Sequence, residues 1–148
     1  MTLKEQINDD MKSALRAKQV QRLSALRLLL AAIKQREIDE RRQLSDAEVV
    51  AVIDKMIKQR RESIAQYESG DRPDLAQAER FEITVLQGYM PQPMSEAEIE
   101  AAVVEAVRST GAQTLGDMGK VMALLKPQLT GRADMGKVSA LVKARLAG

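Results

Sequence analysis

Apolar residues recur along nearly the whole chain at the three- and four-residue spacing of an amphipathic helix, and nowhere in sustained alternation. Leu3, Ile7, Met11 and Ala14 fall at i, i+4, i+8 and i+11, behind a Thr2–Glu5 pair spaced as a capping box. The longest pattern runs from Gln19 to about Arg42, with Leu23, Leu26, Leu30 and Ile33 on one stripe. Leu28 and Leu29 widen that stripe and predict the most buried helix of the chain. Ser45 and Glu48 then cap a third helix, which turns Val49, Ile53, Met56, Ile57, Ile64 and Tyr67 inward and stops at Gly70. Asp71 and Pro73 open a fourth, through Ala78, Phe81, Val85 and Leu86.

Pro91-Gln92-Pro93 is the strongest punctuation in the chain, because two prolines so close cannot occupy a helix interior. The expected division is a four-helix domain over residues 1–92 and a small three-helix domain over 93–148. With no alternating strands, the fold class is all-α. In the second domain Ser95 and Glu98 cap a helix through Ile99, Ala102, Val103, Ala106 and Val107, and Gly111 ends it. The remainder is an internal repeat. Residues 117–129 match 134–146 at nine of thirteen positions, beginning with Asp-Met-Gly-Lys-Val in both copies. Each copy reads as an Asp N-cap, a first-turn glycine and an amphipathic helix. Pro127 is expected to kink or shorten the first copy, and Thr130-Gly131 to turn the chain. Two copies are too few for a solenoid, so the repeat reads as a packed helix pair.

Composition narrows the chemistry. The 148 residues are 45% apolar, which suffices for a core, but hold only three aromatics, so that core is aliphatic. There is no Cys and no His, which removes disulfides, thiolate nucleophiles and imidazole bases and leaves no zinc site. The first fifteen residues fit no secretory signal, and the longest apolar run, Leu28 to Ile33, is far too short to span a membrane. A soluble cytoplasmic protein, with no membrane partner, is the expectation.

Net charge is only +2, but it alternates in blocks: +4 over residues 20–61, −4 over 62–92, −3 over 95–110 and +4 over 111–148. The last block supplies the candidate binding residues, Lys120, Lys126, Arg132, Lys137, Lys143 and Arg145, a basic surface suited to phosphate. Gly131 to Lys137 approaches a phosphate-loop pattern, but Val138 stands where the magnesium-holding Ser or Thr belongs and no strand precedes it. Gly131 instead reads as a helix stop and Gly136 as a place of close backbone approach. Lys58-Gln-Arg-Arg-Glu-Ser63 looks like a basic strip, yet Lys58, Arg61 and Glu62 are spaced for intrahelical pairing, and residues 36–42 read as a mixed-charge helix end. Glu79 and Glu82 share a helix face, but the di-iron pattern needs a His. No catalytic, cofactor-binding or metal-ligating residue is assigned. With few aromatics, any RNA is bound by shape and charge rather than by base stacking.

Several of these segments together resemble the GatB/YqeY family, small YqeY-like proteins related to the C-terminal tail of the B subunit of tRNA-dependent amidotransferases. The resemblance is carried by Leu26 to Lys34, Lys58 to Ser63, Arg72-Pro-Asp-Leu75 with Glu79 and Glu82, Tyr89-Met-Pro91, Asp117 to Met122 and Gly131-Arg-Ala-Asp134. It implies a two-part helical protein whose tail engages tRNA, and a family-level link to carbon–nitrogen ligase activity with glutamine as amide donor. Releasing ammonia from glutamine requires an activated nucleophile, and activating a carboxylate requires a nucleotide site. Neither is legible here. The expectation is therefore a noncatalytic module contacting tRNA or another structured RNA without a cofactor. The alternatives are an adaptor docking on a larger protein complex and a component of an amidotransferase-type ligase.

Overall fold

The computed structural model describes residues 1–147. It holds seven α-helices: α1 (Leu3–Arg16), α2 (Val20–Glu40), α3 (Asp46–Ser69), α4 (Pro73–Gln87), α5 (Glu96–Thr110), α6 (Met118–Leu129) and α7 (Met135–Ala147). A 3-10 turn, Leu115–Asp117, precedes α6. The fold is all-α: among the described residues the only β pairing is one isolated bridge, Thr130 to Ala133. The chain divides into two compact units, Met1–Met90 and Pro91–Gly148, a division compatible with the boundary expected at the prolines.

In unit 1, α1 packs on α2 and α3 on α4, and the two hairpins join chiefly along α2 and α4. The core is aliphatic: Ile7, Leu26, Leu29, Ile33, Val49, Ile53 and Leu86 are all but inaccessible. Truncating one such side chain to Ala costs about 2–5 kcal/mol. Tyr89 closes this core, its hydroxyl donating to Asp10 Oδ2 at 2.6 Å. The expected breadth of the α2 stripe is corrected here. Leu26, Leu29 and Ile33 point inward, but Leu28 is 44% exposed. Three consecutive leucines span about 200° of helix, more than one packing face can cover.

Helix starts follow the expected signals. Thr2–Glu5, Ser45–Glu48 and Ser95–Glu98 each form both halves of a capping box, and Pro73 occupies the first turn of α4. Helix ends are less regular. Gly70 caps α3 at φ −87, and the left-handed residue is the next one, Asp71, at φ +57. Its N–H and that of Arg72 bond back to Glu68 and Tyr67, closing a Schellman motif. Lys18 and Arg41 hold the same left-handed position after α1 and α2, and Gly111 does so after α5.

The mixed charges expected at the end of α2 form a clamp where α2 meets α3. Lys4 reaches Glu37 at 2.7 Å, and the other Glu37 oxygen accepts from the Leu44 N–H. The Lys4 hydrogen bond and that backbone donor hold the Glu37 carboxyl below its usual range. Arg42 bridges Glu40 and Glu48, and its hydrogen bond to Glu48 lowers that carboxyl to about 2.

Unit 2 packs α5, α6 and α7 against one another. The sequence repeat is also a repeat of burial. Val121 and Val138, Leu125 and Val142, and Leu129 and Leu146 occupy matching places in one core. Pro127 neither ends nor shortens α6, which continues through Leu129. Proline gives up its own bond to the carbonyl four residues back and crowds that carbonyl, and burial of Leu129 holds the last turn in place against this cost.

Candidate nucleic-acid interface

The repeat determines where the candidate residues stand. Lys120 and Lys137 take equivalent exposed positions on α6 and α7, as do Lys126 and Lys143. On each helix the second lysine follows the first by six residues, which turns it about 120° around the axis. One lysine of each pair thus lies opposite the buried stripe and the other flanks it. Arg145 is also exposed, but two residues from Lys143 it stands on the opposite flank of α7.

Arg132 is only half-buried in the turn between α6 and α7, where its Nε donates to the Gln92 carbonyl at 3.1 Å. That bond, with the Met94 N–H donating to the Arg132 carbonyl at 2.9 Å, ties the segment before α5 to the turn. The six residues therefore divide into two repeated lysine pairs, an opposing Arg145 and a structurally engaged Arg132. They do not form a single face.

The two aspartates expected as N-caps also part company. Asp134 accepts from the Gly136 N–H at 2.9 Å, as a cap does. Asp117 instead points back, accepting from the Gln113 and Thr114 N–H groups at 3.0 and 3.2 Å, and these bonds lower its carboxyl below the usual range. It also sits 3.9 Å from Lys120 Nζ. The close approach expected at Gly136 is corrected too: a Cβ there would meet only Asp134 Oδ1, at 3.2 Å. Gly131, at φ +82, does stop the helix.

A second cluster lies in unit 1. Arg60 on α3 sits between two carboxylates of α4, its Nε 2.5 Å from Glu82 Oε2 and 3.2 Å from Glu79 Oε2. Each side chain keeps about a fifth of its exposure. Arg60 and Glu82 hydrogen-bond, but Glu79 Oε2 is buried without a hydrogen-bond partner. Burial, and then the Glu82 charge, push the Glu79 carboxyl up; Arg60 opposes them in part. The intrahelical pairing expected of Lys58 is with Asp54 at 3.1 Å rather than Glu62. Sequence reasoning missed the Arg60 cluster because its members lie on different helices. The available signal was charged residues at half-buried positions of two neighbouring stripes. No group of three or more metal-ligating side chains gathers among the described residues.

These observations define a two-unit helical protein with a repeated basic surface and a half-buried arginine–carboxylate cluster. The chain belongs to the Yqey-like protein family, whose model matches residues 4–146. It is similar to proteins named "Altered inheritance of mitochondria protein 41, mitochondrial". That of Eremothecium gossypii is 37% identical over 102 residues, covering 68% of this chain and 56% of the relative. That of Lachancea thermotolerans is 37% identical over 100 residues, 66% of this chain and 54% of the relative. That of Pyrenophora tritici-repentis is 30% identical over 122 residues, 79% and 67%. The chain spans about half the length of the first two relatives.

These names correct one expectation. A cytoplasmic location does not stand, because the curated relatives are named as mitochondrial proteins. Lack of cysteine and of a long apolar run is common to aqueous compartments generally, so composition had no power to choose among them. No helix among the described residues is long and apolar enough to cross a membrane.

Proposed function

We propose that this chain is a noncatalytic RNA-interacting helical module that contacts tRNA or another structured RNA through unit 2. The supporting observation is the repeat, which sets Lys120 with Lys137 and Lys126 with Lys143 in matching exposed positions on two packed helices. Six of the eight charged side chains in residues 111–148 are basic. Exposed lysines recurring on two packed helices suit phosphate contacts, which need reach and charge but no base reading. Arg132 is a positioning residue in this account, since its guanidinium already holds the Gln92 carbonyl. The amidotransferase link of the wider family enters here as RNA contact alone, because no nucleophile–base pair has been assigned to release ammonia.

The test is tRNA binding by the K137E/K143E variant of the full chain. Both side chains are exposed, so folding is preserved. Affinity is expected to fall for every tRNA alike, and the slope of log affinity against log salt to fall by about 2, nearly one per lost phosphate contact. Unchanged affinity and slope would remove this surface from the account.

A further inference from the structure

We propose that the outer face of α2, at its N-terminal end, is a docking surface for an acidic amphipathic helix of a partner protein. Val20, Leu23, Ser24, Arg27 and Leu28, all on α2, border a shallow, open groove of about 290 Å³. Their numbers step through i, i+3, i+4, i+7 and i+8, one straight stripe about 12 Å long. It meets the stripe through Leu26, Leu29 and Ile33 only at Leu23, which also packs against the core, while Val20, Ser24, Arg27 and Leu28 lie outside that stripe. A second groove of about 340 Å³, between Lys18 and Arg22 and bounded by Phe81, shares Val20 with the first. Val20 is 74% exposed and Leu28 44%. α2 thus carries two apolar faces, and unit 1 covers only one of them.

Charge complementarity identifies the occupant. From Met11 to Arg36 there is no Asp or Glu, against seven Lys and Arg. Lys18, Arg22 and Arg27, which rim the grooves, take part in no ion pair among the described residues. Arg36, Arg42, Arg60, Arg72 and Arg80 of the same unit all do. Other cations of unit 1, Arg16, Arg41 and Arg61 among them, are likewise outside these pairs, so the rim is set apart by the stretch from Met11 to Arg36, which holds no carboxylate of its own.

The aliphatic stripe separates a protein partner from a nucleic acid. Val20, Leu23 and Leu28 gain about 25 cal/mol per Å² when apolar groups cover them, and nothing from phosphate. Base stacking needs aromatic platforms, and only Phe81 borders the grooves. A helix with Leu-like residues at i, i+3, i+4 and i+7, flanked by carboxylates, satisfies the stripe and the rim together. This surface uses none of the six residues assigned to RNA, so the two proposals fail independently.

The test uses the isotope-labelled full chain and a synthetic helical peptide with Leu at i, i+3, i+4 and i+7 and Glu on both flanks. The acidic peptide is expected to shift amide resonances of residues 18–28 and of Phe81, while a counterpart with Lys in place of Glu shifts none. V20D/L28D and, separately, R22E/R27E should each weaken binding by about tenfold or more. All four side chains lie outside the buried core, and unchanged thermal melting confirms an intact fold. Absence of acidic-peptide binding, shifts elsewhere, or equal binding of the Lys peptide overturns the proposal. It is equally overturned if tRNA, or vesicles containing phosphatidylserine, shift these residues and the acidic peptide does not.

Discussion

The Arg60 cluster gives an ordering of mutational effects that no count of ion pairs would give. Arg60 donates to Glu82 across the α3–α4 contact, whereas Glu79 offers a buried oxygen with no hydrogen bond. Removing one partner from a buried ion pair costs about 3–5 kcal/mol, but these side chains keep a fifth of their exposure, so about 2–3 kcal/mol is the appropriate figure for R60Q. That variant leaves two carboxylates facing each other. E82Q loses a charge-assisted hydrogen bond, at a cost of about 1–2 kcal/mol. E79Q removes a charge that the site holds poorly, and should be neutral or stabilising by up to about 1 kcal/mol.

The pH dependence carries the same logic. The folded Glu79 carboxyl titrates above its ordinary value of 4.5, so the folded state favours its protonated form. The stability this contributes is complete below the ordinary value and is lost as pH rises through the folded one. The wild type should therefore lose stability relative to E79Q as pH rises from about 4 toward 7. Urea unfolding followed by tyrosine fluorescence reads unit 1 selectively, because Tyr67 and Tyr89 both lie there. If E79Q were as destabilising as E82Q, or if the wild-type-minus-E79Q difference were flat with pH, the assignment of strain to Glu79 would be wrong.

Other outcomes follow from the helix ends and clamps. Asp71→Gly should stabilise unit 1 by up to about 1 kcal/mol, and Gly111→Ala should destabilise unit 2 by about the same amount, both read by urea unfolding with far-UV circular dichroism. Tyr89→Phe removes the hydroxyl bond to Asp10, costs about 1–2 kcal/mol, and lowers the urea midpoint without changing its slope. Glu48 is held near 2 by Arg42, so its contribution is present above 4.5 and lost as pH falls toward about 2. In R42Q that part of the acid-unfolding limb should disappear, as measured by the difference in stability between wild type and variant across a pH series.

Features governed by neighbours in sequence were legible before the structure. The three capping boxes depend on residues three apart, and the aliphatic core stripes on spacings of three and four. The Asp117/Asp134 repeat foretold matching burial, since the same period on two helices presents the same face. What escaped depends on tertiary placement. Asp71, Lys18 and Arg41 occupy left-handed positions that their residue types do not announce, because the cost of that backbone is offset by the Schellman bonds and the packing beyond them. Pro127 reads as a helix end, yet burial of Leu129 carries α6 past it. Arg60 finds Glu79 and Glu82 nineteen and twenty-two residues away, a separation no helical period relates. The six basic residues were legible as a charge block, but their division among faces follows from helix rotation and from the Arg132–Gln92 bond.

The most direct test of the proposed function is binding of the purified full chain to total cellular tRNA across a salt series. Micromolar or tighter binding that weakens steeply as salt rises is the predicted result, with a slope of about −4 if the two repeated lysine pairs each neutralise two phosphates. No binding even at low salt would contradict the RNA role outright.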